Sequence, residues 1–129
     1  MIIKGTILNV LDNSAPVYVK CIHIYNKKKI GFYNDLILVV IMKSIQNLKL
    51  NQRSKNNLLK GTLCKAIVVQ LKRKLQRKDG TTIQFDSNSC IILNKQMTLA
   101  GTRIIGPVTY ELNHNNLSQK FLTLAPLII

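Results

Sequence analysis

The segment from Ala66 to Leu93 constrains the fold most, because it joins two apolar runs through a basic, turn-forming stretch. Residues 66–69 are Ala-Ile-Val-Val and residues 90–93 are Cys-Ile-Ile-Leu. Between them lies Asp79-Gly80, and Asp-Gly is among the strongest short-range signals for a tight hairpin turn. The pattern predicts a β-hairpin mounted on a hydrophobic sheet, with Asp79 and Gly80 in the turn.

This hairpin carries a dense positive charge. Five of the seven residues from 72 to 78 are cationic, namely Lys72, Arg73, Lys74, Arg77 and Lys78. The whole chain of 129 residues has 19 Lys and Arg against 5 Asp and Glu, a formal net charge of +14. Such an excess repels itself unless a partner neutralises it. Composition leaves RNA, DNA, an anionic membrane and an acidic protein open, and we favour phosphate as the partner of the hairpin.

The charge is displayed on a folded scaffold of one domain. The chain is 47% hydrophobic, and β-branched residues recur throughout it, unlike in lysine-rich disordered arms. The longest apolar run, residues 36–42, is far shorter than the roughly 20 residues that span a bilayer, so we expect no membrane partner. The first residues resemble neither a secretory signal nor a transit peptide. We expect that the protein stays where it is made or that a presequence has been removed.

Alternating and β-branched stretches predict a mainly β chain. Residues 17–24 alternate with period 2 and predict a strand covered on both faces. Further strands are predicted at residues 6–10, 35–43, 63–71, 82–85, 89–93 and 102–105. Short strands at this spacing indicate a sandwich or a barrel. After Pro107, residues 109–113 and 118–122 predict short helical turns with Ser118 as an N-cap, and the apolar tail 125–129 is predicted to dock onto the barrel or a neighbour.

Groups for catalysis are sparse. The acids are Asp12, Asp35, Asp79, Asp86 and Glu111. Asp12 and Asp79 lie in predicted turns, where aspartate commonly caps backbone amides. We expect His23 to pack within a strand and His114 to lie in a polar surface connection. No pattern of nucleophile, base and orienting group is evident, so we predict that the protein is not an enzyme and has no catalytic residues.

The three cysteines predict packing and no metal site. Cys21, Cys64 and Cys90 are far apart, form no Cys-x-x-Cys, and have no histidine at ligand spacing. Each lies in an apolar stretch, which is typical of reduced cysteines that pack as small hydrophobes. We therefore expect no metal and no cofactor.

Three basic clusters are candidates for phosphate contact, namely a tip at Lys27, Lys28 and Lys29, the hairpin, and a polar loop from 43 to 60 that carries Lys43, Lys49, Arg53 and Lys55. Aromatic residues are few, with four Tyr, three Phe and no Trp, and only Tyr25, Phe32 and Tyr33 lie near a basic tip. Binders of single strands usually stack bases on several exposed rings. The composition therefore favours recognition of folded RNA by shape and backbone.

Four motifs in order resemble a known family. They are Leu11-Asp12-Asn13-Ser14 followed by Cys21-Ile22, then residues 66–69 through Asp79-Gly80, Phe85 and Asn88 to Ile91-Ile92, then Gly101-Thr102-Arg103-Ile104 with Gly106-Pro107-Val108, and finally Leu124-Ala125-Pro126. Over nearly its whole length the chain resembles the universal large-subunit ribosomal protein family L-fourteen.

The resemblance implies a closed five-stranded small β-barrel with a basic β-hairpin over residues 1–107 and a short C-terminal helical part over residues 108–129. It implies binding of large-subunit rRNA on the intersubunit face and a bridge to small-subunit rRNA. It also implies neighbouring proteins of the L-three and L-nineteen families and a ribosome-silencing factor as partners. The hairpin cations and Arg103 then become expected RNA contacts.

The excess of lysine over arginine, with frequent isoleucine and asparagine, indicates a gene under A+T bias. We therefore expect an organelle-encoded protein of a mitochondrial ribosome, with a plastid or a bacterial cytoplasm as alternatives. A free-standing basic β-barrel that binds single-stranded nucleic acid is the alternative function.

Overall fold

The structure is a computed structural model that describes residues 1–26, 29–45, 58–114 and 116–129. Five of the predicted RNA-binding residues, Lys27, Lys28, Lys49, Arg53 and Lys55, lie outside the described residues. The described strands are β1 (Ile7–Val10), β2 (Pro16–Ile24), β3 (Leu36–Ser44), β4 (Leu63–Gln70), β5 (Leu75–Gln76), β6 (Thr82–Ile83), β7 (Ser89–Leu93), β8 (Pro107–Val108) and β9 (Leu127–Ile128). A 3₁₀-helix (Tyr110–His114) and one α-helix, α1 (Asn116–Leu124), lie between β8 and β9.

Five strands close into a barrel in the order β1-β2-β3-β4-β7. Neighbouring strands are antiparallel except β1 and β7, which pair in parallel through Asn9 with Ser89 and Val10 with Cys90. The interior is filled by every second residue of the strands, such as Val19, Ile37 and Val39, which are at most 1% exposed. The prediction of a closed five-stranded barrel is confirmed.

Strand β7 and the part of β4 from Ala66 onward are buried on both faces because the C-terminal part covers their outer side. Ile67 and Val69 of β4 and Ile91 of β7 form an outer apolar cluster with residues of the C-terminal part. That cluster includes Val108, Leu112 and the fully buried ring of Phe121. The chain end then returns as β9 and pairs in parallel with β8. The predicted docking of the tail is thus confirmed for its backbone, although Leu127 and Ile128 remain exposed.

The basic hairpin forms as predicted, with β5 and β6 as its strands. Its turn spans three residues, since Arg77 N–H donates to Thr81 O at 2.9 Å and Gly80 N–H donates to Arg77 O at 3.2 Å. Gly80 has φ +90°, which the turn requires and which glycine adopts at low cost. Asp79 Oδ1 accepts from Thr81 N–H at 2.9 Å, so its predicted capping role is confirmed.

Four local predictions are wrong. The outer face of β2 is exposed at Tyr18 and Ile22, because the C-terminal part covers β4 and β7 instead. His23 lies on the exposed face and not in the core, since a register shift between Cys21 and His23 turns two successive side chains outward. Residues 102–105 form no strand and only one bridge, Asp12 with Ile104. The α-helix begins at Asn116, so Ser118 lies inside it and is not its N-cap.

Strand directions place the connections at two opposite ends of the barrel. At one end, the connection from β2 to β3 and the hairpin between β4 and β7 lie together, because Ile24 pairs with Ile37, Leu36 with Ile67, and Gln70 with Ser89. We call this the hairpin end. The turn between β1 and β2 lies at the opposite end, which we call the Arg103 end because Asn13 there bonds to the backbone of Arg103. Among the described residues, no helix is long and apolar enough to cross a membrane.

Candidate nucleic-acid interface

The described candidate cations divide between the two ends of the barrel. Six of them belong to the hairpin end, namely Lys29, Lys72, Arg73, Lys74, Arg77 and Lys78. Lys43, near the end of β3, and Arg103 belong to the Arg103 end. All eight side chains are exposed except that of Arg77, which is half-buried. The structure therefore brings the hairpin and the β2–β3 connection together and separates both from Arg103.

The hairpin root, residues 72–74, is anchored to the barrel by its backbone. Leu71 is fully buried, and the backbone N–H of Lys72 donates to Asn88 Oδ1 at 2.9 Å. The guanidinium carbon of Arg73 lies 5.0 Å from the centroid of the Phe32 ring, which comes from the β2–β3 connection. The root thus presents three adjacent cations from a fixed backbone, and one of them lies over an aromatic ring.

The hairpin tip, residues 77–81, is bonded to the C-terminal part, and we call it the closed tip. Arg77 Nε donates to Glu111 Oε1 at 2.5 Å, and Nη2 donates to Glu111 Oε2 at 3.1 Å. Nη2 also donates to the carbonyl oxygen of Ile129 at 2.5 Å, and the guanidinium lies 4.1 Å from the centroid of the Tyr110 ring. These contacts occupy Nε and Nη2 and neutralise the charge of Arg77 within the molecule. The prediction that Arg77 binds RNA stays a prediction.

Glu111 is held ionised by its partner. Partial burial opposes ionisation, but the hydrogen bond and the charge of Arg77 outweigh it, so the pKa of Glu111 lies below its ordinary value. The same bond raises the pKa of Arg77. Sequence reasoning missed this pairing because the two residues are 34 positions apart. The only available signal was that Glu111 is one of five acids in a strongly basic chain.

The Arg103 backbone is fixed by the Asp-Asn turn between β1 and β2. Asn13 Oδ1 accepts from Thr102 N–H at 2.7 Å and from Arg103 N–H at 3.1 Å, and Asn13 Nδ2 donates to Thr102 Oγ1 at 2.8 Å. Gly101 is required here, because a Cβ on it would lie 2.7 Å from Asn13 Oδ1. Two motifs that the sequence shows far apart therefore form one unit that presents Arg103.

Asp12 supports this unit from inside the barrel. It is 6% exposed, and its carboxylate accepts from the backbone N–H and hydroxyl of Ser14 and from Ile92 N–H at 3.3 Å. The predicted capping role of Asp12 is thus confirmed. Burial raises the pKa of Asp12 against the lowering effect of these hydrogen bonds. Its position places a structural carboxylate beside the turn, away from solvent.

A third contact between a cation and an aromatic ring, on the barrel surface, was also missed by the sequence analysis. The Lys65 ammonium lies 5.6 Å from the centroid of the Tyr25 ring, and His23 meets the same ring edge-on with centroids 5.3 Å apart. The register brings these residues together, since Leu38 pairs with both His23 and Lys65. A sequence reading without that register had no means of relating Lys65 to Tyr25.

The three cysteines are free thiols, with Cys21 and Cys90 buried and Cys64 half-buried. The prediction that they pack as small hydrophobes is confirmed. Burial raises the pKa of Cys64 to about 11 and that of Cys90 well above its ordinary value. Within the described ranges, no group of three or more His, Cys, Asp or Glu side chains is arranged to hold a metal ion.

One comparison with known proteins decides the family. The model of the family described as Ribosomal protein L14p/L23e matches residues 1–129. The chain belongs to this family. It is therefore a structural protein of the large ribosomal subunit that binds rRNA, and its location is the ribosome. The family is one of ribosomal proteins and not of enzymes.

Proposed function

We propose that this L14 family member holds large-subunit rRNA mainly through the hairpin end of its barrel. The observation that carries the proposal is the hairpin root, where Lys72, Arg73 and Lys74 are exposed on an anchored backbone. None of the three forms an ion pair with a described residue, so each charge is available to a phosphate. Lys29 and Lys78 add exposed charge at the same end. The sequence adds Lys27 and Lys28, which lie outside the described residues.

Arg103 and Lys43 form a second proposed contact at the Arg103 end. The backbone of Arg103 is fixed by Asn13, so its charged side chain is presented from a rigid base. The sequence adds Lys49, Arg53 and Lys55 from the polar loop outside the described residues. Two cationic ends on opposite sides of one barrel allow the chain to contact two RNA segments at once. This supports a position on the intersubunit face and a bridge to small-subunit rRNA.

Protein partners are proposed on the basis of the family. Neighbours of the L-three and L-nineteen families and a ribosome-silencing factor would need apolar surface on which to pack. Leu127 and Ile128 of β9 provide such surface, being 57% and 47% exposed. The proposed location is a mitochondrial ribosome, supported by the excess of lysine over arginine in the chain. A plastid or bacterial ribosome would give the same interactions.

Sedimentation of an extract through a magnesium-containing gradient tests the proposal. We expect the protein to co-migrate with the large subunit and to remain there in moderate salt. Detection in fractions from purified mitochondria would support the proposed location, and detection only in plastid or bacterial particles would overturn it. Protein found only at the top of the gradient would favour the free-standing single-strand binder.

Salt-dependent binding to large-subunit rRNA tests the hairpin root directly. For each phosphate contact removed, the slope of log affinity against log salt should fall by roughly 0.7–0.9. We expect this reduction for Lys72→Ala and for Lys74→Ala. Lys120→Ala is the matched control, because Lys120 is an exposed lysine on α1 and not on the hairpin. Equal slopes for all three variants would exclude the root as the phosphate site.

A further inference from the structure

The pair formed by Phe32 and Arg73 is an exposed aromatic surface with a planar cation above it. Phe32 is 38% exposed, and the guanidinium carbon of Arg73 lies 5.0 Å from its ring centroid. RNA-binding proteins stack unpaired bases on aromatic rings and on arginine planes. This pair provides both kinds of surface at one point of the proposed rRNA-binding end.

The backbone beneath Phe32 is rigid. Gly31 and Ile2 exchange two backbone hydrogen bonds of 2.9 and 2.7 Å, and Phe32 N–H donates to Asp35 Oδ2 at 2.7 Å. Asn34 adopts φ +64°, and its N–H donates to Val68 O at 2.9 Å, which ties the turn to β4. The backbone that carries the ring is therefore held in place before any partner arrives, which lowers the entropic cost of binding.

The supports of Phe32 and Arg73 are tied to each other. The Tyr33 hydroxyl donates to Leu71 O at 3.4 Å, and the Tyr33 ring packs against Phe85 with centroids 6.5 Å apart. Leu71 stands two residues before Arg73, and Tyr33 directly follows Phe32. A part-buried connection thus links the two backbone segments that carry the ring and the guanidinium.

Two other pairs of a cation and an aromatic ring lack either an unpaired charge or a planar cation. Arg77 over Tyr110 is neutralised by Glu111 and also bonds to Ile129 O. Lys65 over Tyr25 offers a point charge without a plane. Arg73 forms no ion pair with a described residue, and Lys72 and Lys74 flank it. Of the three pairs, this one combines an open ring, a planar cation and free neighbouring charges.

We propose that Phe32 and Arg73 form a stacking platform for one unpaired base of the bound rRNA, with Lys72 and Lys74 neutralising the phosphates beside it. The inference rests on the proposed rRNA binding and names what the hairpin end recognises. Because every base has a π-face, the platform can stack any of the four bases, but it requires that the base be unpaired. Shape recognition by the barrel is then supplemented by one base contact.

Titration of large-subunit rRNA with wild type and Phe32→Leu at several salt concentrations tests the platform. Loss of a stacked base should weaken binding by about 5- to 150-fold at every salt concentration, and the salt slope should stay unchanged. Lys72→Ala should lower the slope, so the two effects are separable. Ile22→Ala is the matched control, because Ile22 is 40% exposed and has no π-face. Phe32→Tyr should retain the wild-type affinity.

A fluorescent variant gives an independent measurement. The chain contains no tryptophan, so Phe32→Trp introduces a single reporter, and its emission should be quenched when rRNA binds. Tyr110→Trp places the reporter at the neutralised pair and should show little quenching. The platform is overturned if Phe32→Leu binds like wild type, if it lowers the salt slope, or if both tryptophans respond equally. Wild type that fails to bind rRNA at all would instead refute the proposed function.

Discussion

The root and the tip of the basic hairpin each place an arginine over an aromatic ring, but only the arginine at the tip is paired with an acid. Arg73 at the root and Arg77 at the tip each lie over an aromatic ring, at 5.0 and 4.1 Å. Arg77 is half-buried and bonded to Glu111 and Ile129, whereas Arg73 is exposed and forms no ion pair with a described residue. Five cations in seven residues therefore do not form one uniform charged ribbon. The distant acid Glu111 neutralises Arg77, and the other four cations form no ion pair with a described residue.

The largest expected effect comes from removing the support of the closed tip. Phe121 is fully buried in the outer cluster that holds the C-terminal part against β4 and β7. Phe121→Ala should lower the free energy of unfolding by about 3–5 kcal/mol, through lost burial and the cavity left behind. Denaturant unfolding measures this loss. Gln119→Ala, at an exposed position of the same helix, is the control and should change stability by less than about 0.5 kcal/mol.

Phe121→Ala also tests whether the tip is neutralised while the root is not. If the C-terminal part detaches, Glu111 no longer neutralises Arg77, and the salt slope of rRNA binding should rise. A stability loss under about 1 kcal/mol would show that Phe121 does not anchor the C-terminal part.

The next largest effects come from replacing each of the two arginines: one replacement should weaken binding and the other should lower stability. Arg73→Ala should weaken rRNA binding and lower its salt slope by roughly 0.7–0.9, with the melting temperature unchanged. Arg77→Ala should lower the melting temperature, because Glu111 loses its partner, and should leave the slope unchanged. Filter binding and thermal unfolding of both variants test this. Equal reductions of the salt slope in both variants would show that Arg73 and Arg77 contact phosphate equally, and the proposed difference between root and tip would be wrong.

A smaller effect is expected in the turn at the tip. Gly80 has φ +90° and open space around it, so Gly80→Ala should cost about 1–2 kcal/mol through backbone strain alone. Gly61, with φ +85° and equally open surroundings, is the matched control in another turn, and Gly61→Ala should cost a similar amount. Binding of rRNA should change little in either variant. Strong loss of binding in Gly80→Ala alone would indicate that RNA contacts the backbone of this turn in addition to the exposed Lys78 side chain.

The comparison also shows what the sequence could predict. The strands and the turn at Asp79 and Gly80 follow from local patterns, namely alternating side chains and residues that favour turns. The closed barrel was implied by the resemblance to a known family, because the spacing of the strands also allowed a sandwich. The exposed face of β2 and the position of His23 do not, because they depend on which strands the C-terminal part covers and on a register shift.

The candidate site divides in the same way. The run of hairpin cations is visible in the sequence as local charge density. Its division into the unpaired cations of the root and the neutralised Arg77 of the tip depends on Glu111, which is distant in sequence and is positioned by tertiary packing. The link between Asn13 and Arg103 is equally non-local, although both residues lie in motifs that the sequence singled out.

The smallest expected effect is the pH dependence of the closed tip. The folded-state pKa of Glu111 is lowered, so the ionised carboxylate stabilises the fold above its ordinary pKa, and this contribution is lost as the pH falls through the folded value. Wild type should therefore exceed Glu111→Gln in stability at pH 7, and the difference should vanish at a pH well below 4.5, the ordinary value for glutamate. Urea unfolding at a series of pH values measures the difference.

The contribution of Asp12 to stability should depend on pH in the opposite direction to that of Glu111. Its folded-state pKa is raised by burial, so its contribution is most favourable at low pH and declines as the pH rises through the folded value. The stability of wild type relative to Asp12→Asn should therefore increase as the pH falls, while that relative to Glu111→Gln decreases. A difference for Glu111→Gln that is independent of pH would show that Arg77 is not neutralised by a carboxylate, and the closed tip would then be as free as the root.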